Sequence, residues 1–235
     1  NLKARQAVLA GLDMRALSRL DSGFLQPDCH LIPLGITGHS DPSKCPHDPN
    51  GPPDMAKAKQ LVQQSGMKGA KVTVWGQERS PRKQYVEYLA DMLNKIGFNA
   101  TPKIINDQTY FQTIGNAKTK PQIGFADWVQ DFPHPWDFMQ LNTSAAIQPQ
   151  NSTNYGYVRD KHYDQMVSKL AETPADKTDS VASQWAALDD YAVKQGYYAA
   201  YGHEKFPKFY SDRLDFNAGI YSVEYQTDMT SLRLK

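Results

Sequence analysis

The chain has 235 residues, 40% of them apolar, and 26 basic against 25 acidic side chains leave a net charge of +1. That is enough apolar chain for one large or two small domains with a proper core, which excludes disorder as the default. The balanced charge excludes the footprint of a nucleic-acid or membrane-surface binder and points to a small or neutral partner, and no apolar run approaches the roughly 18–20 residues that span a bilayer.

The first residue, Asn1, falls inside a helical pattern, so the chain is expected to be a piece of a longer polypeptide whose targeting signal lies elsewhere. Residues 2–20 place Leu2, Val8, Leu9, Leu12, Leu17 and Leu20 at near-helical spacing, with a break expected near Gly11. From Ser22 to Pro53 the density of Pro, Gly, His and Asp marks an extended loop. Asp54 can cap a helix that ends at Gly66. The run AKVTVWG predicts a buried strand and Gln77 to Pro81 a polar turn. The helix that follows has Tyr85, Leu89, Met92, Leu93 and Ile96 on one stripe, with Gly97 at its end. NATPKIIND predicts a second strand, DQTYFQTIGN a short helix and PQIGFADWV a third strand, giving a β-α-β-α-β order. Gln148 to Tyr157 reads as loop, residues 162–172 and 174–195 as helices, and YYAAYG as a strand, with Tyr197, Tyr198 and Tyr201 packing in the core. The tail from His203 to Lys235 reads as short strands and turns.

Two features carry chemistry. Cys29 and Cys45 lie in one loop with little core of its own, so a disulfide and an oxidising compartment are expected. The alternative is a zinc site drawn from Cys29, His30, His39, Cys45 and His47, although their spacing matches no usual paired-ligand pattern. The second feature is the acidic, aromatic segment FADWVQDFPHPWDF. Two of Asp127, Asp131 and Asp137 could serve a glycoside hydrolase as acid and base, and Trp128 and Trp136 could serve a carbohydrate-binding module as stacking platforms. No nucleophile elbow, paired-His metal helix or phosphate-binding glycine loop accompanies them.

Taken in order, the motifs resemble the C-terminal half of the family 5 extracellular solute-binding proteins of ABC transporters. Arg5, Gln6, Ala7 and Asp13 are similar to that half's opening helix, with Met14 intervening before Arg15. The Pro33 to Gly51 loop and PDMAKAKQLVQQSG are similar to the family's Pro-rich loop and following helix, with Pro53 and Asp54 reversed, and the strand VTVW and the helix ending IGF resemble the next pair. The most specific stretch is DWVQDFPHPWDF, where Trp128, Asp131, Phe132 and Pro135 fall on family positions and His134 stands in place of an acid. Downstream, Tyr163 and Asp164 align and Arg159 departs.

The resemblance implies an α/β fold: a periplasmic-binding-protein-like lobe (type II, cluster C), with a mixed sheet covered by helices and an irregular C-terminal tail. Residues 1–202 would form the second lobe, and 203–235 would return to a first lobe of the same polypeptide. It implies a monomeric, non-enzymatic carrier in the periplasm or on the cell surface as a lipoprotein, with a short peptide as ligand, an ABC permease as partner, and no nucleic acid, cofactor or metal. Asp131 would meet the ligand's α-ammonium group beside Trp128, and capping of the next turn is its alternative role. His134 would alter the cleft's charge between pH 5 and 8 if it lined it. Asn154 and Tyr157 would bring a loop to the ligand, while Asp127 and Asp137 would be surface or capping residues. The tail's Phe206, Phe209, Tyr210, Phe216 and Tyr221 would lose packing without the other lobe, and one lobe alone is expected to bind ligand weakly.

Overall fold

The computed structural model describes residues 1–222 and 226–235. The first helical stretch is two helices, α1 (Leu2–Gly11) and α2 (Met14–Leu20). They part because Leu12 is extended and Asp13 caps α2, its side chain accepting from the Ala16 N–H at 3.0 Å. The long loop that follows carries β1 (Leu25–Gln26) and the Cys29–Cys45 disulfide, with Cα atoms 5.7 Å apart. Helix α3 (Met55–Ser65) is capped by Asp54 and closes on Gly66 in the left-handed region.

Strand β2 (Lys71–Gln77), helix α4 (Arg82–Ile96) and strand β3 (Asn99–Ile105) form the expected unit. Helix α4 lies against β2 at Gly76, where a Cβ would sit 2.0 Å from Val86 Cγ2, so only glycine permits that approach. Helix α5 (Tyr110–Ile114) leads to β4 (Ile123–Gly124), and the sheet order is β3-β2-β4, parallel throughout. The predicted third strand pairs over these two residues alone. Its chain leaves the ladder after Phe125, whose carbonyl is held by the Tyr110 hydroxyl at 2.7 Å, and Asp127 then turns to the Arg82 guanidinium.

Helices α6 (Trp136–Met139), α7 (Lys161–Ala171) and α8 (Ala182–Gln195) follow, with a 3-10 run, Ala175–Val181, replacing the first part of the predicted 174–195 helix. YYAAYG is not a strand. Its tyrosines are anchored sideways: the Tyr197 hydroxyl donates to Asp160, that of Tyr198 to Asp189, and that of Tyr201 accepts from Arg82. The strand β5 (His203–Glu204) begins just after and pairs antiparallel with β1. The tail adds β6 (Leu214–Asp215), β7 (Tyr221–Ser222), β8 (Gln226–Thr227) and β9 (Arg233–Leu234), in the antiparallel pairs β6-β9 and β7-β8. Phe206, Phe209 and Tyr210 are exposed, Phe209 at 92%, Phe216 stacks on Tyr210, and the Tyr221 side chain lies outside the described residues.

Two main clusters make the core. Leu17, Leu25, Val62, Val74, Tyr85 and Leu93 join α2, α3, α4 and the sheet, and Ile32, Met139, Tyr163, Leu170 and Trp185 join the long loop to α6, α7 and α8. Between α7 and α8, Asp160 caps α7 through the His162 and Tyr163 N–H groups and accepts from the Tyr191 and Tyr197 hydroxyls. Burial opposes its ionisation, but these four donors outweigh it and lower its pKa from 3.8 to about 2. A depressed carboxylate contributes stability that is complete above its unfolded pKa and is lost as pH falls through its folded one. Thermal melts from pH 5 to pH 2 should therefore show a loss of stability that Asp160→Asn flattens; an unchanged acid limb in that variant would contradict the assignment.

Candidate ligand-binding face

Open α/β sheets bind ligands at the carboxyl ends of their parallel strands. Here the three loops leaving those ends are cross-linked. Gln77 Nε2 at the end of β2 donates to Asp107 Oδ1 beyond β3 at 2.7 Å, and Arg79 Nε reaches the same oxygen at 3.2 Å. Asp127, beyond β4, lies 3.6 Å from Arg79 and 3.1 Å from Arg82. Arg82 is 2% exposed and also donates to Glu204 at 2.5 Å and to the Tyr201 hydroxyl at 2.9 Å, with the Tyr85 ring 5.4 Å away. Burial disfavours its charge, yet Tyr201, Asp127 and Glu204 hold the guanidinium well above its ordinary pKa. Asp127 is therefore an ion-paired tether that fixes where the acidic, aromatic segment starts, and is neither a free surface acid nor a cap.

Asp137 departs further from expectation. It is 1% exposed, and its carboxylate accepts from the Trp128 indole N–H at 3.2 Å and from the Asp131 backbone N–H at 2.9 Å. It closes the segment into a loop from within. The Asp131 side chain is exposed, and among the described residues its carboxylate has no hydrogen-bond or ion-pair partner, so it caps nothing. Around it Trp128, Phe132 and Trp136 are all exposed, and the Phe132 and Trp136 rings stack at 6.1 Å and 20°.

His134 accepts from the Trp136 N–H through Nδ1 at 3.1 Å and sets its ring edge-on to Trp185 at 5.9 Å. Burial lowers its pKa, against the smaller opposing pull of the Asp137 charge. With Phe132, Pro133 and Thr37 it lines an open depression of about 380 Å³ that also holds Asp176 and Asp179. Asn154 is fully buried, and its side chain donates to the Thr143 and Val158 carbonyls and accepts from the Val158 N–H, so it clasps its own loop and presents nothing outward. Tyr157 is half-buried with a positive φ of 50°, and its enclosed hydroxyl has no hydrogen-bond partner among the described residues. Tyr155 is the loop's residue that feels the site: burial and then the Asp127 charge push its hydroxyl pKa up, and its ring packs on Phe111.

The family model for bacterial extracellular solute-binding proteins, family 5 (middle), matches residues 1–150. The chain belongs to that family. Solved structures share its fold at low identity: the ABC transporter-associated periplasmic binding protein DppA of Helicobacter pylori in complex with peptide STSA (18% identity, TM-score 0.76), the murein tripeptide-binding protein MppA of Escherichia coli (17%, 0.77) and OppA of Haemophilus influenzae in complex with RPPGFSPFR (15%, 0.77). Each match covers 100% of this chain but only 44–45% of the other, so the chain spans less than half the length of these proteins. No curated protein matches the sequence. The fold class is that of type II periplasmic binding proteins, and among the described residues no helix is long and apolar enough to cross a membrane.

Sequence reasoning misses Arg82 and Tyr155, and reads Asp137 as a surface or capping residue rather than as the buried clasp of its segment. Asp137 had a signal, because an acid inside the apolar run WDFM must find partners if that run is buried. Arg82 had none, since its partners lie at residues 127, 201 and 204.

Proposed function

We propose that this chain supplies one wall of the solute cleft of an extracytoplasmic carrier that captures short peptides and hands them to an ABC permease. Residues 1–202 form the second lobe, and 203–235 return to a first lobe of the same polypeptide, where the exposed Phe206, Phe209 and Tyr210 find their packing partners. Ligand contacts from both lobes favour the closed state over the open one, which is the condition for binding to drive closure. The carrier works as a monomer in the periplasm or at the cell surface, and catalyses nothing.

One observation carries this reading: the Asp131 carboxylate stands exposed, with no partner among the described residues, on a loop that the buried Asp137 holds from behind and that carries exposed aromatic side chains. A fixed carboxylate of that kind can take a ligand ammonium by a charge-assisted hydrogen bond, and the rings of Trp128, Phe132 and Trp136 can exclude water from it. The same geometry disfavours a glycoside hydrolase. Asp127 is ion-paired to two arginines and Asp137 is closed in by its own loop, so neither is positioned to serve with Asp131 as an acid and base pair. Mass spectrometry of ligands carried through purification of the two-lobed protein, followed by calorimetry with the peptides found, tests the proposal. Short peptides with free amino termini are expected; a glycan as sole ligand, or glycan turnover, would overturn it.

A further inference from the structure

Away from that face, the long loop and strand β5 bring together three donors from distant parts of the chain. His39 Nε2 and His203 Nε2 each lie 3.6 Å from the same oxygen, Oδ2 of Asp28, and the three donor atoms fall within 4.8 Å of one another. A separation of 3.6 Å is too long for an N–H···O hydrogen bond. Among the described residues, the buried His203 Nε2 atom has no partner within hydrogen-bond distance. His39 Nδ1 lies 2.8 Å from the Ile32 carbonyl, which can only accept, so Nδ1 carries the hydrogen and Nε2 of the neutral ring turns a lone pair toward Asp28. A lone pair and a carboxylate oxygen that face each other repel, and either a proton on Nε2 or a metal ion between the two removes that repulsion.

The surroundings hold this geometry in place. Asp28 is buried, and its other oxygen, Oδ1, accepts from the His30 N–H at 2.9 Å and lies 3.0 Å from His30 Nδ1, which leaves Oδ2 to face the two rings. His30 Nε2 is in turn 3.2 Å from Asp190, and Lys44 lies 3.1 Å from the other oxygen of Asp190. Ligands braced from behind by carbonyls and hydrogen-bonded partners are how proteins orient imidazole and carboxylate toward a metal. Two ligand atoms on a tetrahedral zinc, with bonds of about 2.1 Å, stand about 3.4 Å apart. The 3.6 Å spacings fit that, and the partly exposed rings of His39 and His203 leave an entry path.

We propose that Asp28, His39 and His203 bind a divalent cation of the zinc class, with the remaining coordination position open to solvent. This departs from the sequence expectation of no metal. It also differs from the zinc set weighed there, because the Cys29 and Cys45 sulfurs are bonded to each other and His39 is the one ligand in common. Bound metal would tie β5 to the disulfide loop, at the point where the chain passes into its tail.

The test is Zn²⁺ titration by calorimetry of the chelator-stripped, oxidised protein in its full-length form. One ion per protein molecule is expected, weakened at least about tenfold in both His203→Gln and His39→Gln, since loss of even a residue that only braces a metal ligand costs about 10–100-fold. X-ray absorption of the zinc-loaded wild type, which depends on no variant, should show imidazole scattering and no sulfur. Failure of the wild type to bind zinc, sulfur in the coordination shell, or undiminished affinity in a folded variant would overturn the proposal.

Discussion

Arg82→Ala should destabilise the protein by about 3 kcal/mol, measured by urea unfolding. Removing one partner of a buried ion pair costs about 3–5 kcal/mol, because the remaining charges lose their compensation. The lower end applies because the Asp127 and Glu204 side chains are 31% and 28% exposed and would regain water. Arg82→Met should cost less, since its stem still packs between Tyr85 and Tyr201. The loss should also reach the ligand face, because Arg82 ties the exit of β4 to the start of α4 and to β5. A change below about 1 kcal/mol would mean that the guanidinium cluster is surface decoration.

Asp137→Ala is the second large effect. The carboxylate accepts two hydrogen bonds from within the segment, and bonds to a charged group contribute about 1.5–3 kcal/mol each, so a loss of about 3 kcal/mol is expected by the same unfolding measurement. The consequence for binding should be larger than its distance from solvent suggests. Freed from the clasp, Trp128 and the Asp131 backbone no longer hold one position, and the ligand must then supply the ordering free energy. Affinity in the two-lobed protein should fall at least about tenfold, or ~1.4 kcal/mol. An Asp137→Ala protein that unfolds and binds as the wild type does would remove the clasp from the mechanism.

Much of the architecture could be read before the structure because local and global preferences agree there. The Asp54 cap, the Gly66 and Gly97 helix ends, and the β2, α4 and β3 unit each follow from residues adjacent in sequence. The misreadings fall where a distant partner overrides the local pattern. YYAAYG has strand composition, but its tyrosine hydroxyls are drawn to Asp160, Asp189 and Arg82. PQIGFADWV has strand composition as well, yet Asp127 leaves the ladder for an arginine 45 residues earlier.

The site divides in the same way. The order of motifs singles out Asp131 and Trp128, and the structure places both at the surface of the segment. Asn154 reads as a ligand contact only from its place in a polar loop. Its side chain instead satisfies the backbone of its own turn, which is the usual fate of a fully buried asparagine. Asp137 reads as a flanking acid in the sequence, because nothing local shows that the Trp128 indole and the Asp131 N–H fold back onto it.

The most direct measurement is calorimetry of the two-lobed protein and its Asp131→Asn variant, each titrated with one short peptide in free and N-acetylated form. If Asp131 meets the ligand ammonium, acetylation should weaken wild-type binding at least about tenfold, ~1.4 kcal/mol, while the variant binds both forms weakly and about equally. Tight binding of the free-amine peptide by Asp131→Asn, as strong as by the wild type, would contradict it.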